Sequence, residues 1–268
     1  MTETLDPRAP IRQRHETRLR LLTAKTVTDI TPLMRRVRLE GDLEGFVSPA
    51  HADHIKAFFF PEGVSPKLPP VGPNGAEFAP GERPEMRDYT PRYWNVAEGW
   101  IELDFVLHGD GPAASWAASA VPGKTLVIGG PRGSSVTPIA FDWYLLVGDE
   151  TALPAIGRRI EELPEGAPVV AIIEVDNPAE EQQFETKADL RLVYIHRNGA
   201  PAGTTSLLQD AVAAAQFPQG DAYAYVAGES QMSKAVRAHL TDTRGFNPEW
   251  VKAAGYWLLG VADAHEPH

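Results

Sequence analysis

Trp143 to Leu163, WYLLVGDETALPAIGRRIEEL, is where the chain changes its grammar. An unbroken apolar run from Trp143 to Val147 stops at Gly148-Asp149. Leu153, Ile156, Ile160 and Leu163 then recur at helical spacing. Downstream the alternation repeats. APVVAIIEVDN (167–177), LRLVYIHRNG (190–199) and DAYAYVAGES (221–230) read as strands, and TTSLLQDAVAAAQF (204–217) and SQMSKAVRAHLTDTRG (230–245) as helices. Strands alternating with helices imply a parallel sheet with right-handed crossovers.

Upstream the pattern is different. RLRLLTAKTVTDI (18–30), MRRVRLEG (34–41), HIKAFFF (54–60), YTPRYWN (89–95), WIELDFVLH (100–108) and KTLVIGGPRGS (124–134) are short alternating or apolar runs separated by Gly, Pro and Asp. GPAASWAASAVPG (111–123) reads as a short helix, residues 61–86 as a long loop, and residues 1–15 as a frayed lead-in. The expected architecture is a β plus α/β two-domain chain. An antiparallel six-stranded β-barrel occupies 16–138 and a Rossmann-like parallel-sheet α/β domain 139–268.

Composition bounds the function. Hydrophobic residues make up 43% of the 268 and charged residues 23%, as in a globular protein. A formal charge of −11 argues against nucleic acid or an anionic membrane as partner. The absence of cysteine excludes disulfides, thiolate nucleophiles and cysteine-ligated metals. No apolar run approaches a membrane span, and the first residues lack a signal-peptide core, so a cytoplasmic protein without stable membrane association is expected. A monomer is the default.

Within the β-like half, Arg87-Asp88-Tyr89-Thr90-Pro91-Arg92 closes the Pro/Gly-rich segment. In a strand Arg87 and Tyr89 share a face, with Thr90 and Arg92 opposite or beyond a bend. A stacking ring beside a guanidinium that can fork onto phosphate suits a flavin nucleotide. The alternative is an edge strand with solvated arginines.

In the α/β half, Gly148 and Gly228 end strands where a ligand can approach backbone, or else form tight turns. Asp149 and Glu150 would repel phosphate and are expected to cap the following helix, leaving Thr151 toward a ligand. Asp176 can accept from a ribose and opposes a 2′-phosphate, whereas Arg197 can pair with phosphate, so NADH and NADPH stay balanced. Tyr256 and Trp257 either pack the terminus or cover a ring.

Taken in order, RDYTPRYW, DFVLHGDGPAASWA, GGPRGS, VGDETALPA, IEVD, HRNG, YVAGES and GYW resemble the siderophore-interacting protein family over residues 17–260. The resemblance implies a ferric-siderophore reductase on the ferredoxin-reductase plan, with an FAD-binding barrel and an NAD(P)H-binding domain. By that resemblance Arg87, Tyr89 and Thr90 hold the flavin and its phosphate, Val106, Leu107 and His108 line its ring side, and Gly111, Pro112, Ala113, Ser115 and Trp116 set a helix start at the pyrophosphate. Ala114 departs from the family, which often has a hydroxyl there, with Ser115 or backbone N–H groups as replacements. Gly148, Asp149, Thr151, Asp176, Arg197 and Gly228 fall to the nicotinamide nucleotide. Lys56, Arg132 and Lys252 form the basic cluster that receives an anionic ferric siderophore, substrate and partner of the enzyme. His51, His54 and His108 are not expected to bind a metal, since iron stays in the siderophore and no residue is needed as a catalytic acid or base. The rivals are reduction of another acceptor such as ferredoxin, and a non-catalytic siderophore-binding protein.

Overall fold

The computed structural model describes residues 6–61, 63–72, 75–107, 109 and 111–261. Two compact units are present, Arg12–Val136 and a second that joins Met1–Ile11 to Thr137–His268. The lead-in is therefore not frayed from residue 6 onward. Arg8 pairs with Asp221 at 2.8 Å, donates to the Ala140 carbonyl at 3.0 Å and lies over the Trp250 ring at 4.8 Å.

In the Arg12–Val136 unit the strands are β1 (Ile11–Arg14), β2 (Leu19–Thr31), β3 (Met34–Glu40), β4 (Ile55–Phe59), β5 (Val71–Gly72), β6 (Gly75–Ala76), β7 (Glu85–Tyr89), β8 (Pro91–Asn95), β9 (Trp100–Val106), β10 (Thr125–Gly129) and β11 (Gly133–Val136), with helix α1 at Pro112–Ala118. The main sheet has seven antiparallel strands in the order β7-β4-β10-β2-β3-β9-β8. The expected six-stranded closed barrel is thus corrected to a seven-stranded half-barrel. The stretch around Thr90 explains the difference. The strand read as Tyr89 to Asn95 is β8, whose ladder begins at Pro91, and the additional strand is β7, Glu85–Tyr89, which starts inside the stretch read as a loop. One residue, Thr90, joins strands at opposite edges of the sheet, so the sheet curls until its edges converge there. No ladder joins β7 to β8 among the described residues.

The concave side is the core. Leu22 and Ala24 of β2, Val37 and Leu39 of β3, Leu103 and Phe105 of β9, and Leu126 and Ile128 of β10 alternate inward at period two and are buried together. The intervening positions of β3 are arginines, which pair across to β9. Arg36 holds Asp104 through two bonds of 2.7 and 2.8 Å, and Arg38 donates to Glu102 at 2.7 Å. The planar guanidinium of Arg36 also covers Tyr93 at 4.8 Å.

The second unit holds β12 (Trp143–Asp149), β13 (Pro168–Val175), β14 (Asp189–His196), β15 (Ala222–Glu229) and β16 (Val251–Trp257), with α2 (Leu153–Glu162), α3 (Leu207–Ala214) and α4 (Ser230–Ala238). Its sheet is wholly parallel, ordered β14-β13-β12-β15-β16. β12, β13 and β15 are apolar along most of their length because helices cover both faces. The fifth strand, β16, takes up the segment that carries Lys252, Tyr256 and Trp257. No described helix is long and apolar enough to cross a membrane.

Phe105 is fully buried at the hub of the half-barrel core, 4.5 Å from the Tyr89 ring and 5.4 Å from that of Trp116. Phe105→Ala is expected to cost about 3–5 kcal/mol, read as a lowered urea midpoint for that unit.

Candidate functional site

Three segments of the Arg12–Val136 unit that carry sequence signals meet through aromatic packing. Tyr89, the last residue of β7, packs against Phe105 of β9 and, edge-on, against Phe59 of β4 at 6.4 Å. Trp116 of α1 closes the group against Phe105 and Phe59, and its indole nitrogen donates to the Thr125 carbonyl at 3.2 Å. Tyr89 and Trp116 stay half-buried, each with one part in the core and another at the surface. Burial drives the Tyr89 hydroxyl pKa upward, against the opposing pull of Arg87. Thr90 is buried at the turn. Val106 ends β9, and Leu107 continues it with a backbone bond to the Leu33 carbonyl. His108 lies outside the described residues.

The start of α1 fits an anion. Gly111 is its N-cap with no side-chain cap, Pro112 follows, and the first turn contains no acidic residue. Ala113 and Ala114 face inward and are buried, whereas Ser115 is exposed. A hydroxyl at 114 would therefore sit on the packed side of the helix, and the exposed hydroxyl here is that of Ser115.

The expected basic groups are not bare. Lys56 and Asp88 are direct partners in the β4–β7 register, and their side chains pair at 2.9 Å. Arg87 pairs with Glu85 at 2.9 Å and donates to the Met86 carbonyl. Arg132 is exposed and follows the cis Gly130-Pro131 bond, three residues beyond Gly129, which is in register with Lys56. Lys252 belongs to the other unit, on β16. Sequence reading missed the acid opposite Lys56, although Asp88 stood inside the quoted motif.

In the second unit the carboxyl ends of the strands hold a network of charges. Asp149, buried at the end of β12, accepts from the Thr151 amide and hydroxyl, the Glu229 amide at 2.9 Å and the Trp257 indole at 2.9 Å. Asp149 is the expected cap, but Thr151 is turned back onto it rather than left open. Burial, reinforced by neighbouring Glu150, pushes the Asp149 carboxyl up to about 6. Glu150 does not cap. It clasps Arg197 through both oxygens at 2.6 and 2.8 Å, while Glu174 approaches the same guanidinium at 3.4 Å. Glu174 was overlooked in the sequence, where its only signal is an acid inside an apolar strand. Asp176 accepts from the Gly199 amide at 3.2 Å and the Asn177 side chain at 2.8 Å.

The two glycines read as ligand approaches serve the chain itself. A Cβ on Gly148 would lie 2.6 Å from both the Ala152 Cβ and the Ala227 carbonyl, so the space belongs to the helix lead and β15. Gly228, at φ +140°, leaves room for the Asp149 carboxylate, 2.5 Å from where its Cβ would stand. Trp257, left open between packing and covering a ring, is a partner of Asp149, and Tyr256 shares a hydroxyl bond with Tyr225. Among the described residues no group of His, Asp and Glu is arranged to hold a metal.

Comparison with known proteins gives this geometry a family. Residues 23–135 match the siderophore-interacting FAD-binding domain and residues 141–260 the siderophore-interacting protein family. The chain is 33% identical over 256 residues to the NADPH-dependent ferric-chelate reductase of Escherichia coli, covering 94% of this chain and 97% of that one. A crystal structure of a siderophore utilization protein from T. fusca superposes with a TM-score of 0.88 at 39% identity, covering 96% of this chain and 98% of the other. The ferredoxin reductase of carbazole 1,9a-dioxygenase, at 17% identity and a TM-score of 0.62 over 90% of this chain and 70% of its own, shares the fold. The fold is thus shared with ferredoxin reductases, and the Arg12–Val136 unit carries the matched FAD-binding domain. The chain belongs to the siderophore-interacting protein family.

Asp149 yields a pH signature. Its folded pKa is raised above the ordinary 3.8, so between about pH 4 and 6 the folded chain keeps a proton that the unfolded chain has lost. Stability is expected to fall as pH rises through that window and to level above it. Asp149→Asn should remove this component from denaturant midpoints measured across the pH range.

Proposed function

We infer that the protein is an FAD-dependent reductase that takes electrons from NAD(P)H and reduces the Fe(III) of a siderophore to Fe(II). The observation that carries this is the meeting of Tyr89, Phe105 and Trp116, which joins the Arg87–Thr90 motif to α1 within the segment that matches the family's FAD-binding domain. Bound FAD supplies the conversion between two-electron transfer from nicotinamide and one-electron transfer to iron. One nicotinamide oxidised balances two ferric centres reduced. Fe(II) binds hard oxygen donors more weakly, so the metal is released.

The residues of the chain provide placement and charge. Arg87 is assigned to the flavin phosphate, where an incoming dianion competes with the exposed Glu85 for the guanidinium. Tyr89 and Thr90, with Val106 and Leu107, present the ring-binding wall. Gly111, Pro112, Ala113, Ser115 and Trp116 form the start of α1, toward which the pyrophosphate is directed by an uncapped first turn. Gly148, Asp149, Thr151, Asp176, Arg197 and Gly228 shape the nucleotide end of the second unit, Asp149 and the glycines by holding the strand ends rather than by touching the ligand. Lys56 and Arg132 attract the anionic iron complex, with Asp88 tempering Lys56. A cysteine-free, monomeric cytoplasmic enzyme meets both NAD(P)H and imported siderophore.

An anaerobic absorbance record tests the reading. The FAD-loaded protein should bleach with NADH or NADPH and recover its flavin bands on addition of a ferric siderophore. Failure to bind FAD, or a bleached protein that ferric complexes leave bleached, overturns it. Lys56→Ala and Arg132→Ala should each raise the Michaelis constant for anionic complexes about fivefold, the size of one partly solvated charge contact, without slowing flavin reduction by nicotinamide. Asp88→Asn should lower that constant.

A further inference from the structure

The sequence leaves the nicotinamide donor balanced between Asp176, which disfavours a 2′-phosphate, and Arg197, which would welcome one. The structure breaks the tie. Asp176 follows β13, the strand beside the central β12, which is where a doubly wound sheet places an acid to accept from the adenosine ribose. Its carboxylate is held at the sheet edge by the Gly199 amide and the Asn177 side chain. Asn198 and Gly199, both at positive φ, form the turn after β14 that brings this amide to it.

Both basic side chains at the end of β14, His196 and Arg197, are already engaged. Arg197 is 8% exposed, clasped by both oxygens of Glu150 and approached by Glu174, whose other oxygen accepts from Thr205 at 3.2 Å. Its neighbour His196 pairs with Glu181 at 2.9 Å. A 2′-phosphate would enter beside Asp176 as a second anion. To recruit Arg197 it must draw a buried guanidinium away from two carboxylates and leave them unpaired, which is a heavy penalty. A free 2′-hydroxyl meets no such barrier and has a carboxylate waiting to accept its proton in a hydrogen bond.

We propose that Asp176, together with the closed Glu150–Arg197–Glu174 cluster, makes this reductase specific for NADH over NADPH. The inference rests on the assignment of the second unit as the nicotinamide-nucleotide domain. It sets the chain apart from the relative whose name specifies NADPH, since a third of the sequence in common leaves this edge free to differ.

The test uses the FAD-loaded full chain. The kcat/KM for flavin reduction is measured with NADH and NADPH, and the rise in unfolding temperature with NAD+ and NADP+. At least a tenfold preference for NADH is expected, with larger thermal protection by NAD+. Asp176→Asn should narrow the ratio at least threefold. Glu150→Gln, which loosens the hold on Arg197, should raise NADP+ protection more than NAD+ protection. A wild-type preference for NADPH, or a ratio that neither substitution moves, overturns the proposal while leaving the reductase intact. Absence of flavin reduction by either dinucleotide overturns the functional assignment itself, and the proposal with it.

Discussion

A buried carboxylate organises the second unit. Asp149 sits where β12 gives way to its helix, and its two oxygens gather four donors from three places: the Thr151 amide and hydroxyl, the Glu229 amide at the end of β15, and the indole at the end of β16. Three parallel strands are thereby registered at their carboxyl ends by one side chain. Charge buried this deeply is tolerable only with its hydrogen bonds met. The glycine at 228 follows from the same constraint, because any side chain there would occupy the carboxylate's place. Glu150, next in sequence, then turns outward to Arg197. The acids that look like phosphate repellents in the sequence are the struts of the sheet edge.

In the other unit the corresponding constraint is topological. A single residue between β7 and β8 forces the two edges of a seven-stranded sheet together, and the aromatic group of Phe59, Tyr89, Phe105 and Trp116 fills the interior close to that junction. A tyrosine at the end of an edge strand can serve both core and ligand, one part of the ring packed and the rest available. The flavin signal in the sequence and the closing of the sheet are two aspects of one short stretch.

Much of this was legible from residues alone. The parallel α/β half announced itself through apolar runs ending in glycine and helices of plain period, and its four leading strands appear where the pattern put them. The β half was legible as β, but its strand count was not, since β7 starts at Glu85 within the Pro/Gly-rich stretch read as a loop, and only its pairing with β4 reveals it as a strand. β16 escaped because a fifth parallel strand needs a crossover whose last turns are irregular, and Gly255 within it reads as a breaker. At the site, residue types were readable and pairings were not. That Asp88 faces Lys56, or that Glu150 and Glu174 close on Arg197, depends on register between strands far apart in sequence. Those pairings are what convert a list of cations into a statement about charge.

The attachment of the first residues to the later unit has a consequence for how the chain comes off the ribosome. Residues 12–136 form a compact body interposed in the sequence of another, its entering strand β1 laid against its leaving strand β11. Synthesis completes this interposed body first, domains generally folding as units during translation. Arg8 is made before this body, yet its partners Ala140, Asp221 and Trp250 emerge only after it. The segment around Arg8 must therefore wait, unsatisfied, while the interposed body is made, and its docking fastens chain made before that body to chain made after it.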